Sequence, residues 1–330
     1  MSRWRAAPAA LAALLLASPS SATGKPDEAQ ARYDAFRADF ALLAEQDLRT
    51  QSVGWQLLSG NAQLCPDKAA ASGLLLQDAR AYGSPELVRR MLGLRSDIFV
   101  QLVVPQSPAS ALALPRHAGI AAIDGVDEAG FLSPGDEGWE RLDRIERALA
   151  QSYTDGTAEL TLADGRTVSL RPDIVCYGRF EVVSGRDDAG ADGAVVRVGR
   201  DFPGFGYPEE EFAAALAHEL AHNILRHPQW LAANGRKRRD VRETEREADR
   251  MMPWLLANAG YDPATAVRFM RRWGPKHNGG LLRKRTHDGW DERVELIEAE
   301  LPLVTDAQAA TGTADWTMRF NPREVGYLPF

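Results

Sequence analysis

The stretch from Glu209 to His222 reads EEEFAAALAHELAH, and the rest of the chain is interpreted from it. Three acidic residues follow Pro208, where the fixed φ of proline and the negative charge both favour the first turn of a helix. The run rich in alanine and leucine then predicts a helix that ends before Pro228. On this helix His218 and His222 are four residues apart, so both imidazoles lie on one face and can bind one metal ion.

Glu219 follows the first histidine and completes the pattern H-E-x-x-H. In this pattern two histidines bind Zn²⁺ and the glutamate takes a proton from a water bound to the metal. The sequence therefore predicts a zinc-metallopeptidase site with His218 and His222 as ligands and Glu219 as general base. The alternative is an amphipathic helix whose two histidines have this spacing by chance.

A second helix is predicted from about residue 239 to 259, and it carries the sequence EREAD at residues 245–249. A catalytic zinc ion usually has three protein ligands and keeps one position for water. Glu245 is the predicted third ligand, and Asp249, one turn later, is predicted to orient a ligand histidine through its second ring nitrogen. Pro253 should kink this helix or divide it beyond the motif.

Two other glutamates of this helix compete with Glu245 for the metal. Neither Glu243 nor Glu247 is followed by an aspartate four residues later, so Glu245 is preferred. The alternative for the helix as a whole is an exposed face of arginine and glutamate.

The other histidines lack metal-ligand spacing. His227 is nine residues after His218, about 180° around a continuous helix, so it is predicted to face away from the metal. His117 and His277 lie in loop-like stretches without evident partners.

Length and charge limit the classes of protein that this chain can represent. Its 330 residues, 45% of them hydrophobic, can bury a sizeable core and leave room for two domains. The net charge of −7 disfavours nucleic acid as a partner. The basic run at residues 236–239 is interpreted as a solvated loop.

The N-terminus has the pattern of a secretory signal. Arg3 and Arg5 precede an apolar stretch, residues 6–17, that is too short to span a bilayer comfortably. Small residues before position 23 predict cleavage after Ala22, so residues 1–22 are a predicted signal peptide and the mature chain is expected to be exported. An uncleaved signal anchor is the alternative. No later apolar run is long enough to predict a membrane span.

The chain has two cysteines, Cys65 and Cys176, which are a candidate disulfide in an oxidising compartment. Two buried thiols are the alternative. Before Cys65, the apolar spacing of residues 29–49 predicts a helix. Residues 52–64 are interpreted as a strand pair with a turn at Gly60-Asn61.

Residues 66–172 have the pattern of a separate, β-rich unit. Its predicted elements are a strand at 97–104, a strand and turn at 119–126, a helix at 139–152 and a hairpin over 157–170 with an Asp164-Gly165 turn. This order resembles a PDZ domain. The alternative is a small α+β insertion that only shapes access to the site.

A short β run, Ala194–Val198, lies just before the helix that carries the H-E-x-x-H pattern. Peptides often bind as an added strand on the edge of a sheet, and this run is the candidate edge. The alternative is an ordinary core strand.

A third motif, Thr286-His287-Asp288 followed by Arg293, completes a resemblance to a known family. Three motifs in this order, within residues 218–293, resemble those of the HtpX/BepA-like zinc metallopeptidase family, which is related to the CAAX prenyl proteases. Asp288 stands where the family pattern has proline.

This resemblance implies an α+β fold with a mainly helical, gluzincin-type domain and a small sheet. That domain would comprise residues 23–65 and 173–330, and a PDZ-like insertion would occupy residues 66–172. It would bind one Zn²⁺ per chain through His218, His222 and Glu245.

The resemblance also assigns roles to the third motif. His287 would be an additional zinc ligand in a closed state or a donor to the oxyanion. Arg293 would hold the loop or the substrate backbone, or donate to the oxyanion. For His287 the alternative is a surface histidine before a helix predicted at residues 291–300.

The expected function is endoproteolysis of unfolded or misassembled envelope proteins, outside the cytoplasm and by family analogy in the periplasm. A low-turnover metal-binding chaperone or scaffold is one alternative, and an exopeptidase acting on small peptides is another. The sequence does not indicate the oligomeric state.

Overall fold

The computed structural model describes residues 26–136, 138–277 and 288–324. The predicted signal peptide and His287 lie outside these residues. The expected α+β class is confirmed. The chain divides into two compact units, a β-rich unit and a helical unit. The β-rich unit contains described residues up to Ser52, Ala70–Asp173 and Val182–Ser184; the helical unit contains Val53–Ala69, Ile174–Glu181 and described residues from Gly185 onward.

The first helix, α1, runs from Pro26 to Gly60, so the strand pair predicted for residues 52–64 is wrong. Val53 and Leu57 are both completely buried, and their separation of one helical turn explains why this segment is a helix. Asn61 does not form a hairpin turn, because its side-chain amide donates to the carbonyl oxygen of Leu57 at 2.9 Å.

The β-rich unit contains most of the elements predicted for residues 66–172. Its four-stranded sheet has the order β5-β4-β6-β7, β2 pairs with β3 in a two-stranded sheet, and β1 pairs with β8. Gly165, at φ 89°, lies in the predicted hairpin turn. The bounds are β2 Leu74–Asp78, α2 Pro85–Leu92, β3 Ile98–Val103, β4 Ile120–Ile123, β5 Val126–Asp127, α3 Gly138–Thr154, β6 Ala158–Leu162 and β7 Thr167–Leu170. Strands β1 (Lys68–Ala71) and β8 (Asp173–Cys176) each include residues of both units. The sequence did not predict β1, β2 or α2.

The core of the β-rich unit is formed by α3 and these strands. Ile145 of α3 is completely buried with Val100 and Leu160. A buried ion pair joins α3 to the end of β2, since Arg141 donates to Asp78 from Nε at 2.5 Å and from Nη2 at 2.6 Å. These contacts give the unit its own hydrophobic core.

The helical unit carries the candidate ligands. Its elements are β9 Arg179–Val183, β10 Ala189–Ala191, β11 Val195–Gly199, α4 Glu209–Ile224, α5 His227–Ala233, α6 Arg238–Asn258, α7 Thr265–His277 and α8 Trp290–Thr311. The strand order is β10-β11-β9, so β11 is the central strand and the expectation that residues 194–198 form a sheet edge is wrong. Burial of Val195, Val196 and Val198 is typical of a strand covered on both faces.

Helix α4 ends before Pro228, as predicted, whereas the division of α6 expected at Pro253 does not occur. Helix α4 ends at Ile224, and Pro228 lies in the first turn of α5, where proline is favoured. Helix α6 continues through Pro253 without being divided.

One buried asparagine links the end of α1 to α6. Asn61 donates to the carbonyl oxygen of Leu255 at 3.1 Å, and its own side-chain oxygen accepts from Asn258 at 3.0 Å. The backbones approach closely here, since a Cβ added at Gly60 would lie 2.3 Å from the carbonyl oxygen of Asn258. Only glycine therefore fits at the end of α1 without displacing α6.

The expected disulfide between Cys65 and Cys176 is confirmed, with 5.4 Å between the two Cα atoms. It closes a loop with a sequence separation of 111 residues. None of the helices within the described residues has the length and apolarity needed to cross a membrane.

Candidate metal centre

Three predicted ligands converge between α4 and α6. Nε2 of His218 lies 3.3 Å from Nε2 of His222, and these atoms lie 3.4 and 3.5 Å from the two carboxylate oxygens of Glu245. A tetrahedral ion with bonds of about 2.1 Å places its ligand atoms about 3.4 Å apart. The three side chains therefore could hold a metal ion, and their separations fit one of this size.

Helix α4 presents its histidines from a buried position. Thirteen of its residues are buried, and both ligand histidines are 8% exposed. Histidine is seldom placed in such surroundings without a partner for each ring nitrogen. Both rings turn one nitrogen towards Glu245, and their other nitrogens meet different partners.

The second nitrogen of His218 faces a carboxylate. Its Nδ1 lies 3.1 Å from Oδ1 of Asp249, at an angle that departs from a linear hydrogen bond. Asp249 in turn accepts two hydrogen bonds from Arg293, from Nε at 2.6 Å and from Nη2 at 2.7 Å. Burial alone would raise the pKa of Asp249, but Arg293 and His218 lower it, so the carboxylate stays ionised.

The second nitrogen of His222 faces another imidazole, which corrects the prediction that His227 points away from the metal. Nδ1 of His227 lies 3.0 Å from Nδ1 of His222, and His227 is completely buried. The prediction assumed one continuous helix. The chain instead leaves α4 at Leu225, passes through the left-handed conformation at Arg226 (φ 58°) and begins α5 at His227.

The base candidate, Glu219, is half-buried beside this group. Burial raises its pKa to about 7; His218 opposes this shift, and the carboxylates of Glu245 and Asp188 add to it. A pKa near neutrality suits a general base. Arg186, which forms a bidentate pair with Asp188 at 2.7 and 3.1 Å, also interacts electrostatically with Glu219.

The pKa values of the two ligand histidines are shifted in opposite directions. Burial lowers the pKa of His222 to about 3, so this ring is neutral. Burial would also lower the pKa of His218, but Asp249 and Glu245 raise it to about 10. The carboxylates of Asp249 and Glu245 favour a proton on His218, and a divalent cation bound at this site would balance the same negative charge.

The third motif is only partly described. Arg293 donates from Nε and Nη2 to Asp249, and its predicted role towards the loop, the substrate backbone or the oxyanion stays a prediction. Asp288 accepts from Nη2 of Arg246 at 3.1 Å, which ties the start of the α8 segment to α6. The predicted role of His287 lies outside the described residues.

The competing glutamates, Glu243 and Glu247, take part in a different contact. Both accept from Arg323, at 3.0 and 2.7 Å, and neither belongs to the group that could hold a metal. Sequence reasoning missed Arg323 and His227. Pro228 could have indicated the position of His227. Proline is favoured in the first turn of a helix, so Pro228 indicates that a new helix begins near His227 and that the direction of its side chain cannot be extrapolated from α4.

Comparison with protein-family models finds no match for this chain, and comparison with curated proteins finds no significant match.

Proposed function

We propose that this chain is a zinc-dependent endopeptidase. The observation that carries the proposal is the convergence of His218, His222 and Glu245 to mutual distances of 3.3–3.5 Å beside a half-buried carboxyl, Glu219. Two imidazoles and one carboxylate form a ligand set that Zn²⁺ uses in peptidases. A bound Zn²⁺ would supply Lewis acidity that polarises a carbonyl and lowers the pKa of water.

The side chains around the three candidate ligands would transfer the proton and hold the ligands in position. Glu219 takes the proton of the attacking water and delivers it to the leaving amine, for which a pKa of about 7 is suitable. Asp249 holds the His218 ring, and Arg293 holds Asp249. Arg293 is therefore a positioning residue in this proposal, and His287 remains the candidate for the oxyanion or for an additional ligand.

The substrate class and location extend this proposal. We propose that the protein belongs to the HtpX/BepA-like family, with a gluzincin-type domain and a PDZ-like insertion, and acts on unfolded or misassembled proteins of the envelope. The Cys65–Cys176 disulfide supports export, because disulfides persist in oxidising compartments. The order of the three motifs within residues 218–293 supports membership of this family.

The test compares the mature wild type with Glu219→Gln. Both should contain one zinc per chain, and only the wild type should cleave casein, because the amide retains the shape of the side chain but cannot accept the proton. Casein cleavage by the variant at the wild-type rate would disprove the mechanism.

Substrate length is tested separately with model peptides of increasing size. An endopeptidase cleaves internal bonds of long peptides, whereas sequential release from one end would show an exopeptidase. Zinc in both proteins with cleavage in neither would favour a metal-binding scaffold.

A further inference from the structure

We propose that His227 is a positioning residue that fixes the tautomer and ring orientation of the metal ligand His222. The inference rests on the proposed function and deepens it, because it concerns how this chain prepares one ligand for zinc. It starts from the contact between Nδ1 of His227 and Nδ1 of His222 at 3.0 Å.

The proton positions follow from the partners of each nitrogen. His222 can bind a metal through Nε2 only if that atom has a free lone pair, so its proton lies on Nδ1. This N–H then donates to Nδ1 of His227, which must be the unprotonated nitrogen of its ring. His227 consequently carries its own proton on Nε2.

The far side of His227 has the acceptor that this arrangement requires. Nε2 of His227 lies 3.0 Å from Oε2 of Glu247. A carboxylate can only accept, so it selects the tautomer of His227 with the proton on Nε2. The chain of contacts therefore sets the direction of both hydrogen bonds.

Glu247 is itself held in place. Arg323 donates to Oε2 of Glu247 at 2.7 Å, and its backbone N–H donates to the carbonyl oxygen of Leu225 at 3.0 Å. The guanidinium lies 4.8 Å from the ring centroid of Trp230, a cation–π contact. Contacts with the end of α4 and with α5 thus hold Arg323, whose guanidinium pairs with this carboxylate.

The opposite arrangement would prevent metal binding by His222. If His227 carried its proton on Nδ1, His222 would accept it there, and the proton of His222 would lie on Nε2, directed at Glu245 and His218. The rings of His222 and His227 meet edge to face at 77°, with 5.0 Å between their centroids, and their Nδ1 atoms face each other.

The test measures zinc affinity by competition with a chelator in His227→Phe and His227→Asn. Phenylalanine keeps the ring volume and removes both nitrogens, so binding should weaken about 10- to 100-fold, as is usual for loss of a partner behind a ligand histidine. Asparagine offers an oxygen near the position of Nδ1 and should restore part of this loss. Equal zinc affinity in folded His227→Phe and the wild type would overturn the inference.

A second variant covers the case in which His227→Phe does not fold. Glu247→Gln keeps the shape of the acceptor and removes its charge, and it should weaken zinc binding roughly threefold or more. Glu243→Gln is the matched control, since Glu243 also accepts from Arg323 but does not contact His227. An equal zinc affinity of the Glu247 and Glu243 variants would contradict the role of Glu247.

A nitrogen-15 NMR spectrum of the zinc-loaded wild type reads the tautomer directly. The proton of His227 should be on Nε2, and a proton on Nδ1 would overturn the inference. Failure of the proposed function looks different, because the wild type itself would then either bind no zinc or bind zinc without cleaving casein.

Discussion

The two ligand histidines of α4 are held from behind in different ways. His218 faces Asp249, whose side chain is 1% exposed and paired with Arg293, whereas His222 faces the neutral imidazole of His227. The hydrogen bonds behind His227 lead to Glu247, whose side chain is 30% exposed and paired with Arg323. One side of the site therefore depends on a buried ion pair, and the other places its charge where water can reach it. Disturbing the first side should cost more, because water cannot compensate for the lost partner.

The largest difference between the two sides is expected for Asp249→Asn. The variant leaves Arg293 buried without its counter-ion, so the free energy of unfolding should fall by about 3 kcal/mol or more. Zinc affinity should fall towards the 100-fold end of the usual range. Denaturant unfolding and chelator competition measure the two effects. Glu247→Gln is the comparison variant, and equal losses of stability in both variants would remove the distinction between the sides.

A smaller effect is expected when both charges of the buried pair are removed. Arg293→Gln combined with Asp249→Asn leaves no uncompensated ion, so the double variant should be more stable than the sum of the two single losses predicts. Residues in direct contact usually show coupling of about 0.5–3 kcal/mol in such a cycle. Additive losses would mean that the bidentate contact contributes little to the fold.

The smallest effect is expected in the pH dependence of cleavage. Glu219 acts as a base only when it is ionised, and its pKa is raised from 4.5 to about 7 in the metal-free site. A bound Zn²⁺ would lower this pKa, so kcat/KM should fall with decreasing pH along an acid limb that lies at or below about 7. Asp188 contributes to this raised pKa, so Asp188→Asn should move the acid limb to lower pH. Arg293 lowers the pKa of Glu219, so Arg293→Gln should move the limb to higher pH.

The same pH profiles separate the two sides of the site. Arg293, on the His218 side, interacts electrostatically with Glu219. Glu247 lies on the His222 side, so Glu247→Gln should leave the acid limb of the pH profile unchanged. A shift in Glu247→Gln as large as that in Arg293→Gln would show that the two sides are not electrostatically distinct.

The convergence of the ligands was predictable from sequence because spacing on a helix determines it. His218 and His222 are one turn apart on α4, and Glu245 and Asp249 are one turn apart on α6, so each pair points in one direction. The sequence also predicted the hairpin β6–β7, where the Asp164-Gly165 turn fixes the register.

The remaining contacts could not be predicted because they depend on where a helix ends and on partners that are distant in the sequence. The end of α4 at Ile224 brings His227 back to His222, whereas helical phase continued from α4 would carry it away. Arg323 reaches Glu247 from a sequence separation of 76 residues, and no local pattern encodes that contact. Helix α1 extends to Gly60 because tertiary packing of Val53 and Leu57 outweighs the turn signal of Gly60-Asn61.

The most direct test of the account is the zinc content of Glu245→Gln compared with Glu243→Gln. Both substitutions remove one carboxylate from α6, but only Glu245 lies within 3.4–3.5 Å of the two ligand nitrogens. We predict that Glu243→Gln retains one zinc per chain and cleaves casein, and that Glu245→Gln loses most of its zinc and its activity. Full zinc content and full activity in Glu245→Gln would contradict the assignment of this site.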